Sequence, residues 1–502
     1  MSGREDSMPR GLMPREVNAA QLSAMKQRVQ ADPKLAAMFS SLNTFLQASE
    51  YEVIEMMVHA NIWSGPAPKN PGGSGSVEFG LFDYWLNNPG TSWEWQLFVS
   101  FWKTLAGSLP VTQMNATNYQ NLKNAVQPGQ PGLVAADGSW FSESTYGGLD
   151  PGWVEAAFDY LCTYGGYLGF TFAPFAQTPP TVTLSGASPS QVTIALMGDW
   201  GTGNYTNGPA ASVMQAIAAL KPDYIIHLGD VYYAGSAGEE ASNLLGMWPA
   251  TYAGKSFTLN SNHEMYNGAN GYYSALANNI FSLQNGTSYF VLQYGNAQQP
   301  GGPWTIIGLD SAYWSNSPLI MNGSIAESSN ARFGGTAQTS FLNGLVSSGL
   351  APQNTIVLTH HNPIATDGSA WVTDGLGNNL WAEVTASAAL SGTPKAWYWG
   401  HVHNGIVYPN PNNMGAKMYG RCVGHGALPF GNAWGVQAAP PSQVQCYANT
   451  RNPNTASLMM NGFVLLTIAQ TGLVTETFYQ QDGTKAPWVN SNTYQLGGAA
   501  GA

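Results

Sequence analysis

From about residue 190 onward the chain is punctuated by short runs that are apolar throughout rather than alternating. They are Val192-Thr193-Ile194-Ala195-Leu196-Met197, Tyr224-Ile225-Ile226-His227-Leu228, Thr305-Ile306-Ile307-Gly308-Leu309, Thr355-Ile356-Val357-Leu358-Thr359 and Ala396-Trp397-Tyr398-Trp399. Continuous runs of this length suit strands covered on both faces. Between several of them apolar residues return at helical spacing, around Ala210 to Leu220, Ala337 to Val346 and Leu380 to Leu390. Alternation of this kind predicts a layered α/β domain over residues 191–485, built of βαβαβ units with helices outside the sheets. Near its end, Gly462 to Ala469 and Leu473 to Tyr479 flank Gln470-Thr471-Gly472 and predict a closing hairpin. Residues 486–502 read as a tail.

The first third has a different period. Apolar residues recur at helical spacing over Val17 to Val29, Leu35 to Leu46 and Tyr51 to Ile62, and Asp32-Pro33 reads as an N-cap with proline in the first turn. A Gly/Pro-rich loop follows at Ser64 to Ser76. Beyond it lie the Trp- and Phe-dense stretch Phe79 to Leu105 and a further helix from Asp150-Pro151 through Tyr164. Residues 1–175 are therefore expected to be mostly α-helical, with the aromatics as core and no role assigned. The Pro-, Thr- and Ser-rich stretch from Pro174 to Ser190 reads as a linker, with 176–190 separating the two regions.

Composition narrows the partners. Only 9% of residues are charged while glycine numbers 58, so Ser, Thr, Asn, Gln and Gly must cover most of the surface. A formal net charge of -11 argues against nucleic acid or an anionic membrane as the main partner. Cys162, Cys422 and Cys446 are too few for a disulfide framework and show no paired metal-binding spacing. They read as buried thiols, with a Cys422–Cys446 bridge open in an oxidising compartment. Met1 to Arg15 is charged and lacks the apolar core of a secretory signal, and no run reaches the length of a membrane span. The expectation is a soluble chain, cytoplasmic by default, of unassigned oligomeric state.

The chemistry lies where the apolar runs end. Asp199 and Asp230 each follow a glycine at a strand end and stand about 30 residues apart, the length of one strand-helix-strand crossover, which puts both carboxylates on one sheet edge. Gly-Asp alone would more often be a turn or cap. Here it is followed by Asn262-His263-Glu264, by His360 and by Gly400-His401-Val402-His403. His401 and His403, one residue apart in a segment read as extended, would point to the same side and reach neighbouring metals. His360 and His361 would point oppositely on a strand, so one of them is a ligand, and the spacing from Val357 favours His360. Carboxylate, phenolate, amide and imidazole donors delivered from successive strand ends suit two hard or borderline cations held close together.

These stretches resemble the metallophosphoesterase (calcineurin-like phosphoesterase) superfamily and, within it, the purple acid phosphatases. The superfamily's usual Asp-x-His is here Asp199-Trp200-Gly201, while Tyr233 stands three residues after Asp230, the exchange that marks the purple acid phosphatase type. The resemblance implies a first metal held by Asp199, Asp230, Tyr233 and His403. It implies a second held by the shared Asp230 with Asn262, His360 and His401. Ser261, where the family usually has Gly before Asn-His, departs from the pattern. Two carboxylates and a phenolate favour Fe(III) at the first site, and amide and imidazole donors favour a divalent Fe, Zn or Mn at the second. The implied activity is an acid phosphatase in which metal-bound hydroxide attacks a small phosphate monoester, with His263 and His361 as candidate catalytic residues. Phosphodiester hydrolysis on the same centre is the alternative, and a non-catalytic metal-containing binding protein is a third reading. His227, His425 and Asp310, near strand ends, are expected to support the site rather than react.

Overall fold

The structure is a computed structural model that describes residues 156, 159–160, 163–164, 170–205, 208–295, 303–315, 320–326, 336–373, 379–428, 430, 434–454 and 458–497. The helices expected at Val17 to Val29, Leu35 to Leu46 and Tyr51 to Ile62 lie outside these residues. The chain divides into two compact units, Met1–Thr171 with Tyr266–Gly268, and Phe172–Met265 with Ala269–Ala502. In the first, the Tyr160 ring lies 4.6 Å from that of Tyr164 and meets Tyr266 edge-on at 5.5 Å.

The second unit is a two-sheet α/β sandwich, as the strand-helix alternation predicts. Three of its strands, β2 (Gln191–Met197), β3 (Tyr224–His227) and β4 (Ser256–Thr258), run parallel, so their C-terminal ends share one edge. The 11-residue helix α1 (Ala210–Leu220) makes the crossover between β2 and β3. On the other side of β2 comes the antiparallel pair β12 (Gly462–Ala469) and β13 (Leu473–Gln480), the expected hairpin, and then β14 (Asn492–Gln495), giving the order β14-β13-β12-β2-β3-β4. The expected tail therefore supplies an edge strand.

The second sheet has eight strands. They are β1 (Thr181–Thr183), β5 (Phe290–Tyr294), β6 (Trp304–Gly308), β7 (Thr355–Thr359), β8 (Ala396–Trp399), β10 (Tyr419–Val423), β9 (Gly405–Val407) and β11 (Cys446–Tyr447), in that spatial order. β6, β7, β8 and β10 are parallel. β1 corrects the reading of 176–190 as a plain linker, because Thr181–Thr183 pairs in register with Val291 to Gln293.

Side-chain alternation divides the burial between two cores. Ile356 and Leu358 of β7 join Ile194, Leu196, Ile226, Val464 and Leu466 between the sheets. Val357 of the same strand, with Ile307, Trp397 and Trp399, faces Leu342 of α4 (Ala337–Ser347) and Leu380 and Val384 of α5 (Leu380–Thr385). α5 is shorter than the expected Leu380 to Leu390. The labels α2 and α3 belong to Asn262–Tyr266 and Asn270–Leu276. Cys422 and Cys446 are free thiols on strands flanking β9, not a disulfide.

A buried polar cluster crosses the inter-sheet core. Arg421 of β10 donates from Nε and Nη2 to the carboxylate of Glu476 on β13, with a closest approach of 2.7 Å and both side chains buried. Glu476 also accepts from Tyr398 Oη and Asn492 Nδ2. Against the opposing effect of burial, Arg421 holds the Glu476 carboxyl below its ordinary range. Its contribution is therefore present at neutral pH and is lost as pH falls through that lowered folded-state value. Removing one partner strands a buried charge, so Glu476→Ala is expected to lose about 3–5 kcal/mol in urea unfolding. Arg421→Met with Glu476→Leu should recover most of it, and a double variant as unstable as the single one would show that the pair does more than neutralise itself.

Candidate metal centre

The side chains of interest leave the same edge of both sheets. Asp199 lies two residues beyond β2, Asp230 three beyond β3, His360 directly after β7, and His401 and His403 just after β8. Asn262 opens α2 beyond β4. Three of these residues are in the left-handed backbone region that L-residues avoid: Asp199 (φ 58°), Asp230 (φ 76°) and His401 (φ 67°). Such conformations persist only where the surroundings over-determine them, and they concentrate at functional sites. The left-handed turn at His401 also corrects the extended reading of His401 to His403. The glycines here make room for the donors. A Cβ on Gly400 would lie 2.6 Å from Asp199 Oδ2, and one on Gly229 2.8 Å from His360 Nδ1.

Four donor atoms converge at one end of the site. His360 Nε2 lies 2.8 Å from Asn262 Oδ1, 3.2 Å from His401 Nδ1 and 3.2 Å from Asp230 Oδ1, and His401 Nδ1 is 3.2 Å from Asn262 Oδ1. Backbone carbonyls fix both imidazole tautomers from behind. His360 Nδ1 donates to Leu228 O at 2.9 Å and His401 Nε2 to Met321 O at 3.1 Å, so the two converging nitrogens carry lone pairs. Two imidazole lone pairs, an amide oxygen and a carboxylate oxygen cannot hydrogen-bond to one another. Their approach is repulsive unless a cation stands among them, so the donor set fits a metal ion.

A second cluster lies on the other side of Asp230. Tyr232 Oη donates to Asp230 Oδ2 at 2.8 Å and lies 3.3 Å from both Asp199 Oδ1 and His403 Nε2, while His403 Nε2 is 3.5 Å from Asp199 Oδ1. Asp199 Oδ2 accepts the His401 amide at 2.8 Å. Asp230 thus turns Oδ1 to one cluster and Oδ2 to the other, and Asp199, Asp230 and His360 offer ligand atoms within 4.8 Å of one another.

Electrostatics agree with this reading. Burial and then the charge of Asp230 push the Asp199 carboxyl well above the ordinary range, whereas His263 and His360 hold Asp230 well below it against the effect of burial. Two adjacent buried carboxylates do not both ionise readily without positive charge. Burial lowers His360 to about 4 and His401 to about 3, leaving both rings neutral as ligation requires. Burial, then Asp230 and Asp199, raises the Tyr232 phenol.

Tyr232, adjacent to the expected Tyr233, is therefore the phenol that sits against the carboxylate pair. Tyr233 meets the site through its backbone, its amide donating to Glu239 and its carbonyl accepting from His263 Nδ1 at 2.6 Å. No periodic signal singles out Tyr232, because β3 ends at His227, Asp230 is in the left-handed region and Tyr232 lies in the turn that follows. His263 is buried, with Nε2 directed to Asp230 Oδ2 at 3.9 Å. His361, expected as a catalytic residue, stands beside His360 and His401, the three offering ligand atoms within 4.8 Å of one another. Its Nε2 donates to Ile320 O at 2.6 Å and its Nδ1 accepts from Ser311 Oγ at 2.9 Å, so both nitrogens are committed within the protein.

The residues expected to support the site, His227, Asp310 and His425, are all buried. His227 meets Thr258 Oγ1 and packs edge-on against Trp200 and Trp248, and Asp310 accepts from Asn260 and from the amides of Ala312 and Tyr313. His425 is buried beside Gly405 and Gly462. Ser261, also buried, hydrogen-bonds to both Asp230 Oδ1 and Glu264 Oε2.

Residues 192–405 match the family model of the calcineurin-like phosphoesterases. No curated protein matches the chain. Among solved structures it is similar to GAP50, the anchor in the inner membrane complex of Plasmodium, at 15% identity and TM-score 0.37 over 61% of this chain and 89% of that one. It is also similar to the purple acid phosphatase PPD1 from seeds of yellow lupin (Lupinus luteus), at 13% identity and TM-score 0.39, and to a 5'-nucleotidase precursor from Thermus thermophilus, at 12% identity and TM-score 0.24. In both of these the match covers 61% of this chain and 54% of the other. Among the described residues no helix is long and apolar enough to cross a membrane. The stretch that matches the calcineurin-like phosphoesterase model, residues 192–405, carries both donor clusters.

Proposed function

We propose that this domain is a phosphatase of the purple acid type, hydrolysing small phosphate monoesters with two metal ions. The observation that carries the reading is the division of the Asp230 carboxylate, one oxygen to each donor cluster. Asp199, Asp230, Tyr232 and His403 would hold the first ion. The shared Asp230 with Asn262, His360 and His401 would hold the second. The anionic character of the first set favours Fe(III), and the neutral donors of the second favour divalent Fe, Zn or Mn. When bound, such a pair supplies Lewis acidity to phosphoryl oxygens and an acidified water.

The chain's own residues then have separable tasks. The carbonyls of Leu228 and Met321 hold His360 and His401 in their ligating tautomers. His263, its Nδ1 bound to Tyr233 O, presents Nε2 toward Asp230 and is placed to hand a proton to the departing alkoxide.

The choice of Tyr232 over Tyr233 is open to spectroscopy. Iron-loaded wild type should show a visible phenolate charge-transfer band that Tyr232→Phe abolishes and Tyr233→Phe retains; the reverse pattern would return the ligand to Tyr233. Asp230→Asn should weaken binding of both ions together in elemental analysis, and loss of only one ion would refute the bridge. His263→Ala is expected to lower kcat on a phosphomonoester about 10²–10⁴-fold with metal content unchanged. Faster turnover of a phosphodiester by the wild type would assign the domain to diester hydrolysis instead.

A further inference from the structure

The residue before Asn262-His263 is a serine where the resembled family has glycine, and its hydroxyl occupies a place that only hydrogen-bond accounting explains. Ser261 is fully buried. Its Oγ touches three groups: it is hydrogen-bonded to Asp230 Oδ1 and to Glu264 Oε2, and it accepts the amide of His263 at 3.1 Å. A hydroxyl has one proton and two acceptor sites. The His263 amide fills one of those sites. If the proton goes to Asp230, the second site must accept a proton from Glu264, which is then the neutral acid. The opposite order would require a proton on Asp230, which as the ligand shared by two cations must be the carboxylate anion. Glu264 is itself fully buried, and its second oxygen, Oε1, makes no hydrogen bond among the described residues. The consistent arrangement runs from the Glu264 acid to the Ser261 hydroxyl and on to Asp230 Oδ1.

We propose that Ser261 is a positioning residue for the shared ligand, fixing the rotation of the Asp230 carboxylate so that its two oxygens face the two clusters, with Glu264 as the donor that orients the serine. The inference rests on the two-ion reading given under Proposed function. A carboxylate free to rotate would present one oxygen to either cluster but not both at once. A hydrogen bond to Oδ1 from behind removes that freedom, and outer partners of this kind typically change metal affinity 10–100-fold.

The test uses the full chain stripped of metal and titrated with Zn(II) alone against a competing chelator. Thermal unfolding of the metal-free protein is measured in parallel. Wild type should bind two ions. Ser261→Ala should bind both 10–100-fold more weakly, the two losses moving together because the ligand is shared, while the unfolding midpoint of the metal-free protein stays close to that of wild type. Glu264→Gln keeps a donor toward Ser261 and should retain affinity close to wild type, whereas Glu264→Ala should behave like Ser261→Ala. Two ions bound with unchanged affinity in Ser261→Ala would overturn the positioning role and leave the two-ion reading intact. So would a loss explained wholly by a lowered midpoint of the metal-free protein. A wild type that takes up fewer than two ions would overturn both.

Discussion

The site depends on a single carboxylate. Asp230 stands fully buried, with Oδ1 beside His360 Nε2 and Oδ2 beside Tyr232 Oη, so each donor cluster meets one of its two oxygens. An isolated carboxylate at that depth would be driven to its neutral form. It is instead held well below its ordinary range, against burial, by the imidazoles facing it. Its neighbour Asp199 is pushed the other way. One of two adjacent buried carboxylates is thus favoured as the anion and the other as the acid, a conflict that added positive charge between them would relax.

The backbone is arranged to serve that carboxylate. Parallel β2 and β3 bring Asp199 and Asp230 to adjacent strand ends, and β7 and β8 of the other sheet bring His360 and the His401–His403 loop to the same edge. Left-handed conformations at Asp199, Asp230 and His401 then turn each chain sharply enough to aim its side chain inward. These strained turns are tolerated because the inter-sheet core fixes β2 and β3, and that core together with the one behind the larger sheet fixes β8. Rigidity in the sandwich and strain at its rim are two sides of one design.

Much of the fold was legible because burial leaves a periodic trace. The runs at Val192 to Met197 and Thr355 to Thr359, the helix at Ala210 to Leu220 and the hairpin about Thr471 all appear where the pattern places them. Strand β10 was not singled out, since Gly420 and Arg421 interrupt its apolar run. A buried arginine looks like surface until its partner is known, and Glu476 lies 55 residues away on the other sheet. β1 was hidden for a related reason, being a short edge strand in Pro- and Thr-rich sequence.

The sequence by itself determined the chemical types at the site and the strand ends from which they come, because residue identity and local periodicity are properties of short segments. Asp199, Asp230, Asn262, His360, His401 and His403 were legible as candidate donors at strand ends, and their division between two ions came from the family resemblance. Tertiary structure alone decided which of two adjacent tyrosines meets the carboxylates, that both nitrogens of His361 are taken up inside the protein, and that Ser261 stands between Asp230 and Glu264. Each of those outcomes turns on a rotation of the chain after a strand has ended, and there periodicity stops and only contact with distant residues sets the direction of a side chain.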